Sequence, residues 1–218
     1  MADGPSGDPM LELLSANGPD PEHAQALMLY GRLVGTWEIR NRYLFPDGRW
    51  RTAAGEWRFG WALGGRVVQD VLWCPDFHGR FPGTTLRMYD VTTGLWRITW
   101  ISPKLPSYFS QVGRGDGAGG MVQEGTDAQG RRSRWTFTEV TPTSFRWQGF
   151  SASPLSPGSP DAPLSLDAPL SPGSPDAPLF PGSPGSPGAA GAVGAVDSPG
   201  SPEGGFELFQ EMYATRTG

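Results

Sequence analysis

Residues 84–101, TTLRMYDVTTGLWRITWI, set Arg87 and Arg97 among three aromatic rings in a single short stretch. Small polar residues at 90–94 favour a tight turn, so the stretch reads as the two strands of a hairpin. With 91–94 as the loop, Tyr89 stands opposite Trp96, Arg87 opposite Ile98, and Thr85 opposite Trp100. Side chains alternate along a strand, so these six share one face. An arginine on an enclosed face needs a partner, because an unpaired buried guanidinium is costly. Two partners are open to Arg87. Asp70, on the preceding strand, would make an internal ion pair. A carboxylate or enolate on a bound ligand would instead make Arg87 an anchor, with Tyr89, Trp96 and Trp100 gripping the rest. In that arrangement Trp57 adds contact area and Gln69 orients the ligand.

Other residue types in the chain could do chemistry of their own. Asp70, Glu124 and Glu211 are the carboxylates that would act as acid or base if the cavity held a reactive conformer, as in a cofactor-independent isomerase or cyclase. Cys74-Pro75-x-x-His78 pairs a thiol with an imidazole and opens a third reading, a haem or metal carrier. Zinc would need further ligands, and His23 lies far off in sequence, so a structural loop fits that motif better. With two histidines in the chain, no Ser-His-Asp set stands out, nor does a phosphate-cradling glycine loop or a dinucleotide-binding unit. No cofactor is expected. Asn41, Gln69 and Gln148 interrupt otherwise clean alternation, and would bond a ligand or trapped water if they point inward. Glu139 and Arg146 flank the turn at 141–144 and read as an exposed cross-strand ion pair.

These side chains need a scaffold, and the alternation supplies one. Asp20-Pro21-Glu22 starts a helix expected to run to about Leu33, with Ala24, Leu27, Met28 and Gly31 as its buried stripe. From Thr36 the period becomes two, with Trp37, Ile39, Asn41, Tyr43 and Phe45 on one face. Pro46-Asp47-Gly48 turns the chain, and the returning strand, 50–61, is expected to carry a bulge near residues 53–55. Further short strands follow at 66–74, 84–90, 95–101, 108–112, 121–125, 131–140, 145–151 and 206–216. About ten short strands joined by short loops most simply close into an all-β antiparallel up-and-down barrel, which leaves no sheet edge. A two-sheet sandwich is the alternative.

Composition divides the chain. Residues 1–19 read as a flexible N-terminal tail, although 10–14 could dock as a short apolar turn. Residues 20–151 and 206–218 form the barrel domain, and 152–205 a low-complexity, disordered insert inside the last hairpin. The insert repeats SPGSPDAPL and is built of Pro, Gly, Ser, Ala and Asp, so it cannot bury enough apolar surface to offset its ordering entropy. Loop closure costs little more as a loop lengthens, so the flanking strands can pair across it. All nine tryptophans lie outside it. Net charge is −5, and the insert holds Asp161, Asp167, Asp176, Asp197 and Glu203 with no basic residue, which leaves the rest formally neutral. That balance excludes the basic footprint of a nucleic-acid binder. Cys74 is the single cysteine, the N-terminus lacks a secretory pattern, and no apolar run reaches membrane-spanning length, so a cytoplasmic protein without membrane contact is expected. Oligomeric state is not legible.

Several short motifs, taken in order, resemble a known family. Gly35-Thr36-Trp37 opens the first long strand after a helix, as the Gly-x-Trp signal does in lipocalin-type barrels. With Leu63-Gly64-Gly65-Arg66, Gln69-Asp70, Tyr89-Asp90, Trp100 and the terminal Glu211-Met212-Tyr213-Ala214-Thr215-Arg216, the chain resembles the domain of unknown function 1579 family, bacterial proteins with a calycin-like barrel. The resemblance implies a barrel with no established reaction. It also implies that Trp37 plugs the closed end with Arg216 packed across its face. Where relatives turn the last hairpin through a short loop, this chain carries its insert. The haem-binding nitrobindin-type barrel also begins with Gly-x-Trp, but this chain continues Glu38-Ile39-Arg40-Asn41 and has no histidine after His78 to hold iron. The expected function is therefore to bind a small apolar or aromatic ligand in the lumen of a lipocalin-like barrel.

Overall fold

Two aspartates start the chain's first helical turns. Asp8 accepts the Met10 N–H at 2.9 Å and Asp20 accepts the Glu22 N–H at 3.1 Å, each ahead of a proline that presets the first turn. The computed structural model describes residues 8–104, 107–126, 130–154 and 205–217. In chain order the elements are α1 (Pro9–Leu14), β1 (Ser15–Ala16), a 3-10 turn (Pro21–His23), α2 (Ala24–Gly31), β2 (Gly35–Leu44) and β3 (Trp50–Ala62). A second 3-10 turn (Leu63–Gly65) leads to β4 (Val67–Trp73), α3 (Pro75–His78), β5 (Gly83–Asp90) and β6 (Leu95–Ser102). The chain then runs through β7 (Ser107–Gly115), β8 (Met121–Thr126), β9 (Arg131–Thr138), β10 (Ser144–Pro154) and β11 (Phe206–Arg216).

Strands β2 to β11 pair with their sequence neighbours, all antiparallel, and β11 returns to pair with β2. The sheet therefore closes on itself as a ten-stranded barrel, and β1 adds a short eleventh strand where the end of β3 runs past β2. β10 and β11 pair from Ser144↔Thr215 to Ala152↔Phe206, so the last hairpin forms across the insertion. The proposed insert at 152–205 otherwise lies outside the described residues, apart from 152–154, which extend β10, and 205–206, which lead into β11.

Three local expectations need correction. Within the proposed 1–19 tail, residues 9–16 form α1 and β1, because the β3 end reaches past β2 and offers them an unpaired edge. β2 and β3 pair without a register shift, so 53–55 holds no bulge. The glycine there serves close packing instead: a Cβ on Gly55 would collide with the Cys74 side chain. The sheet's irregularities lie in β10, at Gly149/Phe150 against β11, where Phe209 is the extra residue, and at Ser151/Pro154 against β9. Finally, the expected 20–33 helix divides into a 3-10 turn and α2, and its buried residues are Leu27, Tyr30 and Gly31, while Met28 is exposed.

α2 lies across one end of the barrel, where β2, β4, β6, β8 and β10 begin. Tyr30 packs edge-on against Trp96 and Phe137, with centroids 4.7 and 6.2 Å away. This end is closed. At the other end Tyr43 contacts Phe45, Phe77 of α3 and Phe209, with centroids 5.8, 6.3 and 5.9 Å apart. Rings thus border both ends of the lumen.

Candidate functional site

The central hairpin has the register read from its sequence: Thr85↔Trp100, Arg87↔Ile98 and Tyr89↔Trp96. All six side chains face the lumen, but at different depths. Tyr89 and Trp96 sit at the closed end, where Tyr89 lies between the rings of His23 and Trp96. Thr85 and Trp100 lie in the half away from α2. The Trp100 indole rests on the wall at Gly83, where a Cβ would collide with it.

Arg87 is fully buried, and its Nη1 donates to Asp70 Oδ2, also fully buried. The other Asp70 oxygen accepts the Thr85 N–H at 3.2 Å. The ring centroids of Tyr30, Phe59 and Phe137 lie 5.4, 5.5 and 5.6 Å from the guanidinium carbon. Of the two partners open to Arg87 in the sequence, the internal one is present, and the rings surround the cation on further sides. Its Nε and Nη2 have no hydrogen-bond partner.

The closed end is held by the pair that the resemblance implied. Trp37 is fully buried and donates Nε1–H to Leu33 O at 2.7 Å. Arg216 lies over its ring and donates to three backbone carbonyls, those of Pro142, Val34 and Arg32, at 2.7, 2.8 and 3.0 Å. Tyr30 Oη and the Gln123 amide lie together at this end, in contact but short of good hydrogen-bond geometry. Burial pushes the Tyr30 phenol up to about 12, against the opposing pull of Arg87.

In the half away from α2 the lumen is lined by contiguous indoles. Trp57 and Trp147 have centroids 6.2 Å apart, Trp147 and Trp135 5.4 Å, and Trp135 and Trp100 6.0 Å. Trp57, Trp135 and Trp147 are buried, and none of their ring N–H groups has a partner. Gln111 donates to Ser133 Oγ at 3.1 Å, which leaves its carbonyl oxygen unpaired, as is Thr85 Oγ1. Buried side-chain polar atoms are normally paired, so such a concentration on one lumen surface needs a reason.

Sequence reasoning missed Tyr30, Gln111, Gln123, Trp135 and Trp147. For the last two a signal was present. Trp135 alternates with Phe137, and Trp147 with Phe145, on strands whose inward parity the other rings already declare. Gln111 and Gln123 carry no such mark, because a lone glutamine on a strand is ordinarily outward.

Several singled-out residues face away from the lumen. Gln69 precedes inward Asp70 and so points outward, where it donates to Thr84 Oγ1 at 3.2 Å. Glu211 also points outward, although buried. It accepts from Arg42 at 3.1 Å, from Arg146 Nε at 2.9 Å and from Gln148 at 3.2 Å. Glu124 faces out as well, bonded to Arg114 and Arg134 at 3.0 and 2.9 Å. Burial would raise its pKa, but those two arginines hold it below the usual carboxylate range. Of the three candidate acid–base carboxylates, Asp70 alone faces the lumen, and both its oxygens are engaged. Glu139 and Arg146 do meet, at 3.5 Å on the surface.

Cys74 and His78 do not converge on a common point. The Cys74 thiol points at Asn41, whose amide donates to it at 3.4 Å while its oxygen accepts from Gln210 at 3.1 Å. His78 Nδ1 accepts the Cys74 backbone N–H at 3.0 Å and so closes α3 on itself. Burial raises the thiol's pKa and lowers that of the imidazole, so both are held neutral. Among the described residues, three potential metal-ligating side chains converge at Asp20, Glu22 and His23, where Asp20 is already bonded to Arg66 at 2.7 Å.

A depression of about 310 Å³ on the outer wall is lined by Glu124, Arg134 and Phe206 among others, and none of the candidate ligand-binding residues borders it. Arg134 stacks on Phe206 there, 4.5 Å from the ring centroid. No protein-family model matches this chain, and no curated protein matches it.

Proposed function

We propose that this is a lipocalin-like barrel, of the domain of unknown function 1579 type, that binds a small, flat, largely apolar ligand in the half of its lumen away from α2. The observation that carries this reading is the run of buried indoles, Trp57, Trp147 and Trp135, whose ring N–H groups the protein itself leaves unpaired, as it does Thr85 Oγ1 and Gln111 Oε1. A purely structural core uses residues without polar atoms, or pairs the polar atoms it buries. Trp100 and Phe109 extend the wall for contact area, and the Arg87–Asp70 pair with its rings forms the floor. Phe77 and Tyr43 lie at the end of the lumen away from α2.

The outer wall fits a protein working in water. Arg40, Arg58, Arg97 and Arg114 are exposed at outward positions, where a lipid-facing barrel carries an apolar band. No helix among the described residues is long and apolar enough to cross a membrane.

Tryptophan fluorescence tests the reading. A panel of apolar aromatic compounds should quench the buried indoles saturably. Trp100→Ala should weaken that quenching at least about tenfold, in line with the loss of a large ring contact, while exposed Trp50→Phe leaves it unchanged. A panel that gives no saturable quenching would sink the proposal.

A further inference from the structure

We infer that the ligand is neutral and carries oxygen acceptors, as a conjugated ketone or quinone does, and that carboxylates are discriminated against. This rests on the lumen-binding reading above. With Tyr30 and Gln123 set aside as mutual neighbours, the buried unpaired groups facing the lumen among the described residues are the ring N–H of Trp57, Trp135 and Trp147, Nε and Nη2 of Arg87, Thr85 Oγ1 and Gln111 Oε1. Five are nitrogens that only donate, one is an oxygen that only accepts, and the hydroxyl can do either. A lumen so rich in donors is matched by a guest rich in acceptors. A hydrocarbon would leave those donors unpaired, at the cost that makes buried polar groups reject analogues lacking a matching atom.

Charge decides between the two kinds of acceptor. The one cation among these residues, Arg87, is already neutralised by Asp70, and both are fully buried. A carboxylate brought into this lumen would add a net negative charge with no uncompensated cation to meet it, and its desolvation would go unrepaid. A carbonyl oxygen takes the same N–H donors without that penalty. The indoles also favour a planar guest, since offset and edge-on ring contacts already line the wall from Trp57 to Trp100.

The test compares three probes of nearly one shape: 2-acetylnaphthalene, 2-isopropylnaphthalene and 2-naphthoate, titrated against the full chain by fluorescence quenching at pH 7. The ketone should bind about tenfold more tightly than either of the others, as expected when one or two buried donors gain a partner. In Trp147→Phe and Trp135→Phe, which keep a ring and lose a donor, at least one variant should lose about fivefold in ketone affinity with the hydrocarbon unaffected. Hydrocarbon binding equal to that of the ketone, or tighter naphthoate binding, would overturn this inference and leave the lumen-binding reading standing. Failure of all three to bind would overturn both.

Discussion

The guanidinium carbon of Arg216 sits 4.1 Å from the centroid of the Trp37 ring, so the last strand clamps the first tryptophan of the barrel. Three carbonyls, from Arg32, Val34 and Pro142, take its N–H groups, which ties the end of α2 and the β9–β10 turn to β11. Gly35 makes room for it. A Cβ there would meet the guanidinium, and its φ of 139° is one that L residues rarely adopt. Arg216→Ala should lower stability by about 3 kcal/mol, since it strips three carbonyls, two of them partly buried, of their donor and uncovers the Trp37 ring. Arg216→Lys should recover less than half of that, because an ammonium cannot present a planar fork to three acceptors and a ring. Urea unfolding of the two variants measures this; full rescue by lysine would show that charge alone matters.

Asp70 and Arg87 should behave as a coupled unit. Asp70→Leu leaves a buried guanidinium without its counter-charge, a change worth about 3–5 kcal/mol. Arg87→Met alone should cost a similar amount, because it strands the carboxylate. The double substitution Asp70→Leu with Arg87→Met removes both charges at roughly conserved volume and should regain most of the loss. Denaturant midpoints for the complete cycle would report it, and simple additivity of the two single losses would refute the coupling.

The barrel and its central hairpin were legible because alternation is a strong signal when aromatics mark it. Arg87, Tyr89, Trp96 and Trp100 occupy one face as the loop length required, and Trp37 met Arg216 at the closed end. Gln69 was misplaced for the same physical reason: adjacent to Asp70, it cannot share that residue's face. Glu211 was hidden differently. Its burial comes from Arg42 and Arg146 on two flanking strands, one of them 169 positions away in the chain, and no local pattern encodes that arrangement. Tyr30 was overlooked because α2 docks end-on over a barrel, so the residues it buries do not form the stripe that packing along a sheet would select. The unpaired indole N–H groups belong to the same class. Sequence shows where a tryptophan points, but only the packed lumen shows whether its nitrogen finds an acceptor.

Tyr30 should make the barrel sensitive to alkali. Its phenol ionises near 10.0 when free and at about 12 in the folded chain, because burial disfavours the phenolate. Between those values the unfolded chain has lost the proton and the native state keeps it. The unfolded state then binds fewer protons, so stability falls as pH rises, while below pH 10 this group contributes no slope. A difference of that size amounts to roughly 3 kcal/mol across the window. Tyr30→Phe should remove most of this loss, with a small residue from Tyr43, whose phenol burial also raises despite the pull of Arg131. At pH 7 the same substitution should be close to neutral, since Tyr30 Oη makes no well-formed hydrogen bond that phenylalanine would forfeit. Unfolding curves at pH 9, 10.5 and 12 for the two proteins decide the matter, and parallel pH dependences would show that Tyr30 is not the titrating group.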